Sequence, residues 1–255
     1  MCATAAKLHE PVVLHDMPEA TYGRLMRALG QHRLEHAYRD DVLEVFSPLL
    51  HGIDWRTYER ILAAFGDRRF PHTYDNGNLE IMMSPSREHE RIKRLLGRIV
   101  EMASIEFGMW ICSTSSETQR NELLAKGLEP DESYYLRPRK RGQKLPLDPK
   151  GAPDLAIEID LRRTELKRFR SYAALGVREL WRYRRNKVEI LRPSMNEGSE
   201  LIERSEVFPL LTANDLTRFV KRLQKRDENL TVLEFVSWLR KKIEKSRQSP
   251  RKRET

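Results

Sequence analysis

The stretch Asp154-Leu155-Ala156-Ile157-Glu158-Ile159-Asp160 is where side-chain type and spacing could do chemistry. At a strand's period of two, Leu155, Ile157 and Ile159 share one face, and Asp154, Ala156, Glu158 and Asp160 share the other. A strand this apolar is expected to be buried. Carboxylates buried with it must shift their pKa, find a partner or bind a cation. Upstream, Asp131 follows Pro130 on what reads as the preceding strand, residues 130–136. Two neighbouring strands that each carry an acid offer the oxygen ligands that a hard divalent ion such as magnesium takes alongside retained waters. Asp154, directly after Pro153 at the strand start, reads as structural.

The elements that must position these acids read as a mixed α/β layout. Asp75-Asn76-Gly77 is a hairpin turn signal, and a strand over 79–83 leads into Ser84-Pro85-Ser86. Ser86 is placed to cap a helix whose first turn holds Glu88 and Glu90, where the helix dipole favours anions. Ile92, Leu95, Leu96, Ile99, Val100 and Ala103 then form one core-facing stripe. A strand at 110–113 follows, then a polar, mobile stretch through Lys126-Gly127 and the two acid-bearing strands. A helix over 164–175 stops at Gly176, and a hairpin of 177–183 and 187–191 turns at Arg185-Asn186. Amphipathic helices at 213–224 and 230–245 come last. This order predicts a short sheet covered by helices.

Ahead of this lies an internal repeat. Residues 21–44 overlay residues 57–80 at a constant offset of 36, with ten identities that include Thr21/Thr57, Tyr22/Tyr58, Arg24/Arg60, Gly30/Gly66, His36/His72 and Tyr38/Tyr74. Each copy reads as a short helix, a glycine stop, then strand, turn and strand. Two copies are too few for a solenoid. We read a tandem duplication in which the second copy is continuous with the main domain and the first is an extra layer. The expected organisation is an N-terminal extension at 1–50 duplicating 53–85, a main domain at 53–192, a helical part at 193–245 and a basic tail at 246–255.

Composition sets the outer bounds. The chain has 255 residues, 39% apolar and 33% charged, with a formal charge of +9. That is wetter than an average domain, so much of the excess belongs to surface or tails. No apolar run approaches the roughly 20 residues that span a bilayer. The first residues lack a basic cluster followed by an apolar core, which predicts no signal peptide and a cytoplasmic protein without membrane association. Cys2 and Cys112 have no ligand-like spacing to other Cys or His, so no zinc site is expected. Residues 238–255 carry eight Lys/Arg against two Glu, a net +6 that leaves only +3 for everything else. Such a tail attaches weakly to polyanions and says little about mechanism.

Gly127-Leu128-Glu129-Pro130-Asp131, then Asp154-Leu155-Ala156-Ile157-Glu158, then Tyr172-Ala173-Ala174-Leu175-Gly176-Val177 and Glu179-Leu180-Trp181, in this order, resembles the Uma-type restriction endonuclease family of the PD-(D/E)XK nuclease superfamily. Leu79-Glu80-Ile81-Met82, Ser84-Pro85 and Glu88-His89-Glu90 fit the same family, so the likeness covers about residues 53–192. It implies a restriction-endonuclease-like α/β core and magnesium-dependent cleavage of DNA phosphodiester bonds, with manganese as an alternative ion. Asp131 and Glu158 would be the metal ligands. The superfamily's lysine stands two residues beyond the glutamate, where this chain has Asp160. In Uma-type sequences the cation usually lies on the next helix, four residues before the Tyr-Ala pair, which falls on Arg168 with Lys167 beside it. Adjacent helical residues point about 100° apart, so only one of the two would face a site. A lysine can orient or deprotonate a water, but arginine stays protonated. Arg168 could therefore stabilise developing charge but could not be the base.

The other candidates have competing roles. Glu80 either joins the site or pairs with an arginine, and Glu44, its counterpart in the first copy, reads as a relic. His89 either touches phosphate or metal or is a surface group in a first helical turn. Asp160 faces the same way as Glu158 and is a possible further ligand. Lys167 and Arg168 have a solvated helix face as the plain alternative. Arg139, Lys140 and Arg141, in a basic loop between the acid-bearing strands, could clamp phosphates without reading sequence, or simply be solvated. Against the nuclease stands a catalytically impaired DNA-binding or interaction module on a nuclease fold. An assembly role, with a homodimer built on the duplicated N-terminus and C-terminal helices, is the third reading.

Overall fold

The computed structural model describes residues 11–68, 70–82, 86–114, 117–139, 149, 151–161, 168–195, 198–223 and 225–248. In chain order the first elements are β1 (Val12–Leu14), α1 (Glu19–Leu29), β2 (His36–Arg39), β3 (Val42–Val45), β4 (Leu49–Leu50), α2 (Trp55–Phe65), β5 (His72–Asp75) and β6 (Asn78–Ile81). Next come α3 (Arg87–Glu106), β7 (Met109–Ser113), β8 (Gln119–Asn121), β9 (Lys126–Leu128), β10 (Glu132–Pro138) and β11 (Leu155–Asp160). The last are α4 (Arg168–Leu175), β12 (Glu179–Arg184), β13 (Lys187–Ser194), β14 (Gly198–Ile202), α5 (Ala213–Leu223) and α6 (Glu228–Gln248). Among the described residues no helix is long and apolar enough to cross a membrane.

The chain divides into two compact units. One takes the described residues up to position 85, Thr118–Glu129 and the stretch ending at Ser171; the other takes Ser86–Glu117, 130–163 and Tyr172 onward. The first unit contains the duplication, and the offset of 36 holds element by element. Helix α1 maps onto α2, β2 onto β5 and β3 onto β6. Even the strand register repeats: Val13 pairs with Glu44 and Leu14 with Leu43, as Leu49 pairs with Glu80 and Leu50 with Leu79. Gly30 and Gly66 both sit at φ +60°, a conformation that favours glycine and ends each helix. The two helices pack together over a shared core that includes Leu25, Leu29, Leu43, Ile61, Phe65 and Leu79.

The sheets of the first unit run β1-β3-β2 and β4-β6-β5-β9-β8. The hairpin β8–β9 corrects the expectation of a mobile stretch there. Lys126 forms an ion pair with Asp75 across the β5–β9 ladder, and Gly127 lies so close to Tyr58 that a Cβ would overlap the tyrosine hydroxyl. These long-range contacts outweigh the polar local sequence.

In the second unit a mixed sheet runs β14-β13-β12-β11-β10-β7. Its β10 continues past the expected end, with Arg137 and Pro138 paired to Trp110 and Met109. Helices α3 and α5 pack on the sheet, and α6 packs against those two helices. Leu155, Ile157 and Ile159 turn into this core with Trp181, Tyr183 and the α3 stripe Ile92, Leu95, Leu96, Ile99, Val100 and Ala103. Ser86 caps α3 by accepting the His89 backbone N–H at 3.2 Å. The Arg185-Asn186 turn has both residues at positive φ, as a tight hairpin requires.

Candidate active site

Strands β10 and β11 are antiparallel neighbours, with Glu132 opposite Ile157 and Ser133 opposite Ala156. One further step of that register sets Asp131 opposite Glu158, where directly facing side chains stand about 5 Å apart at Cβ. The Ile159 N–H donates to Asp131 Oδ2 at 2.8 Å, which closes this step. Asp131 is 8% exposed and Glu158 3%. The period-two pattern of β11 therefore does what its spacing implied: its apolar residues enter the helical core and Glu158 alternates away from it, while Asp131 bonds to β11 from just ahead of β10.

Each carboxylate is oriented by donors from its own unit. His89 Nε2 lies 3.0 Å from the same Asp131 oxygen, with its ring largely buried and Nδ1 3.4 Å from Glu90. That placement sets aside the surface reading of His89. The Tyr172 hydroxyl donates to Glu158 Oε1. Glu132, next to Asp131, has its carboxyl pushed up chiefly by burial, with Lys93 opposing the shift.

The row continues across the sheet. Glu158 faces Arg182 on β12, and Arg182 faces Glu189 on β13, whose carboxylate accepts from Arg182 Nε at 2.8 Å. Asp160 lies on the same face, 4.0 Å from the Arg182 guanidinium. Register partners share a face, so Arg182 is the cation aligned with Glu158 in this row. Arg182 is a residue of this row that was not among the candidates read from the sequence. Its signal was the alternation Glu179-Leu180-Trp181-Arg182-Tyr183, in which Trp181 and Tyr183 take the core face.

Two further acids illustrate the structural alternative. Asp154 accepts from Leu136 N at 2.9 Å and from the side chains of Arg137 and Arg178. Fully buried Glu179 accepts from Trp181 Nε1, Ser205 Oγ and the N–H groups of Glu206 and Val207. Asp154 thus ties its chain to β10, and Glu179 anchors the loop at residues 205–207.

Glu80 and Arg168 belong to the first unit and Arg139 to the second. Glu80 is a buried residue of β6, facing Thr73 and Leu49 in register. Arg168, at the start of α4, is 5% exposed, and its Nη2 donates to the Glu129 carbonyl at 2.8 Å. A solvated face is thus not its role. Arg139 is exposed and donates through Nε to the Met109 carbonyl at 3.2 Å. Lys140, Arg141 and Lys167 lie outside the described residues.

A second missed feature is a basic stripe. Arg218, Lys221, Arg222, Lys225 and Arg226 recur at the i, i+3, i+4 spacing on and just past α5, opposite the buried Leu216, Phe219, Val220 and Leu223. They line a groove of about 730 Å³ together with Asn186, Asn214 and Thr217. Arg218 stacks 4.9 Å from the ring centres of both Phe219 and Trp238. Arg222 and Arg226 both grip Glu234.

The Uma2 family model, described as putative restriction endonuclease, matches residues 55–224. The chain belongs to the Uma2 family. The matched region contains β10, β11, α4 and α5, and it starts at α2, so the first copy of the duplication lies outside it. The family's description supports a nuclease. A solved structure described as a putative nuclease belonging to DUF820 from Anabaena variabilis is 17% identical over 58% of this chain and 90% of that one, with a TM-score of 0.41. No curated protein matches.

Proposed function

We propose that this Uma2 chain is an endonuclease that hydrolyses DNA phosphodiester bonds with a divalent ion, magnesium or manganese, held by Asp131 and Glu158. The observation that carries the reading is that two buried carboxylates meet where β10 pairs with β11: Asp131, one residue ahead of β10, accepts the N–H of Ile159, next to Glu158. The donor set fits the ion, because magnesium takes hard oxygen ligands and is commonly bound through one or two carboxylates plus water and substrate phosphate. Among the described residues no group of three or more His, Cys, Asp or Glu is arranged to hold a metal. The pair would accordingly supply two protein ligands. When bound, the ion supplies polarisation of the phosphoryl oxygen and activation of water near neutral pH.

The chain's own groups do the positioning. The Ile159 N–H and His89 orient Asp131, and the Tyr172 hydroxyl orients Glu158. Arg182, aligned with Glu158 and held by Glu189, offers a fixed positive charge where the superfamily's lysine is replaced by Asp160. Arg168 or Lys167 remains a candidate for steadying charge on the scissile phosphate, and Glu80 for completing the acidic set. The α5 stripe, with Arg139 to Arg141, provides contacts to phosphates that carry no sequence information.

Incubating the purified chain with supercoiled plasmid and magnesium tests the reading. Nicked and linear products are expected, with loss of cleavage on adding EDTA or with Glu158→Gln, whose DNA binding should persist. A protein that binds magnesium by calorimetry yet leaves DNA and RNA intact would overturn it. Salt-sensitive DNA binding indifferent to EDTA, without cleavage, would establish the impaired binding module instead.

A further inference from the structure

The two copies of the N-terminal unit match in their internal contacts but differ at one strand edge. Tyr22 bonds His36 Nε2 at 2.9 Å, as Tyr58 bonds His72 Nε2 at 2.8 Å. Tyr22 stacks on Tyr38 with ring centres 4.1 Å apart, and Tyr58 stacks on Tyr74 at 4.4 Å. In the second copy the outer edge of β5 is covered by β9, and Tyr58, His72 and Tyr74 are buried. In the first copy β2 ends its sheet among the described residues, and Tyr22, His36 and Tyr38 are only half-buried. The duplication kept the platform and left out its cover.

We propose that the β2 edge takes an added antiparallel strand from another protein, and that this strand reads acidic, then glycine, then apolar. The second copy shows each requirement at work. Gly127 faces Tyr74 in register and tolerates no Cβ beside the Tyr58 hydroxyl; Tyr38 and Tyr22 hold the matching positions in the first copy. Leu128 faces Thr73, whose counterpart is Ala37. Lys126 pairs with Asp75, and the counterpart of Asp75 is Arg39, whose side chain is 89% exposed. The charge is inverted, so the incoming residue must be acidic. Main-chain hydrogen bonds along an exposed edge supply the affinity in this mode, and alternate side chains supply the selectivity. Arg39 also pairs with exposed Asp40 at 3.0 Å, a contact weak enough to exchange.

Residues 1–255 do not contain this pattern. Glu197-Gly198-Ser199 comes nearest and ends polar, and residues 1–22 contain no glycine. The exposed charge of Arg39 at the end of β2 selects a partner chain whose strand carries an acid there.

Fluorescence anisotropy with labelled ten-residue peptides on the full-length protein tests this. The acidic probe has the sequence of residues 119–128 with Lys126→Glu; the basic probe keeps the native sequence; a third carries Lys126→Glu and Gly127→Ala. The acidic probe is expected to bind about fivefold tighter than the basic one, the scale of one exposed charge pair. Arg39→Glu in the protein should reverse that preference, and the alanine probe should lose binding. No binding by any probe, equal binding of both charges, or binding that survives Gly127→Ala would each overturn the proposal. Binding of the basic probe unaffected by Arg39→Glu would indicate exchange at β5 and overturn it too.

Discussion

The Ile159 backbone N–H donates to Asp131 Oδ2 at 2.8 Å, one step beyond the last paired rung of β10 and β11. This bond ties the Asp131 carboxylate to β11 next to Glu158, so structural and chemical roles can be separated by substitution. Asp131→Asn keeps an acceptor for Ile159 and should cost little stability. Asp131→Ala leaves a buried N–H unpaired, which costs about 1–3 kcal/mol. Both should lose cleavage by more than the roughly 10–100-fold expected for an outer-shell defect. Urea denaturation and plasmid nicking measure the two effects, and equal stability of the two variants would contradict this account of the bond.

Tyr172 reaches Glu158 from α4 through its hydroxyl. Removing only that oxygen, as Tyr172→Phe, leaves the ring in the core and frees Glu158 to reorient. Metal affinity or cleavage should fall roughly 10–100-fold, the cost typical of losing a ligand's orienting partner. Calorimetric titration with manganese isolates the binding part. An unchanged affinity would show that Tyr172 is a packing residue.

The features that could be read from the sequence were those decided by neighbours along the chain. Ser86 caps α3 and its apolar stripe is buried because capping and 3.6-residue periodicity are local. The inward turn of Leu155, Ile157 and Ile159 follows from a period of two. The hairpin β8–β9 could not be read in the same way, since its residues are polar and become strands only where Lys126 meets Asp75 and Gly127 meets Tyr58, over fifty residues away. Partner choice at the site was likewise set by residues that are not chain neighbours. Tyr172 and Glu158 are 14 residues apart, and Arg182 joins the row only through the parallel register of β11 and β12. Asp131 and Glu158 could be singled out because acids on an apolar strand are costly wherever the chain places them.

The α5 stripe should account for sequence-independent attraction to DNA. Lys221 and Lys225 have no carboxylate partner among the described residues, unlike Arg222 and Arg226. Replacing both with alanine removes two phosphate contacts. The slope of log affinity against log salt should fall by about 2, with equal weakening for unrelated duplexes. Anisotropy in EDTA reads this without cleavage. An unchanged slope would assign DNA contact to another surface.

His72 connects the second copy of the duplication to acid sensitivity. Its ring is fully buried between the Tyr58 hydroxyl and the Phe70 carbonyl, and burial lowers its pKa to about 4. The unfolded chain, with a histidine pKa near 6.5, binds the proton more readily across that window. Stability should therefore be unaffected by this group above about pH 6.5 and decline as pH falls toward 4. Below about pH 4 both states are protonated and the loss is complete, about 3 kcal/mol for a shift of this size. His72→Asn removes the titrating group. The variant is less stable at pH 7 because the buried tyrosine loses its partner, but its stability curve between pH 6.5 and 4 should be flatter than the parent's. Urea denaturation at half-unit pH steps compares the slopes, and parallel curves would show that the acid sensitivity arises elsewhere.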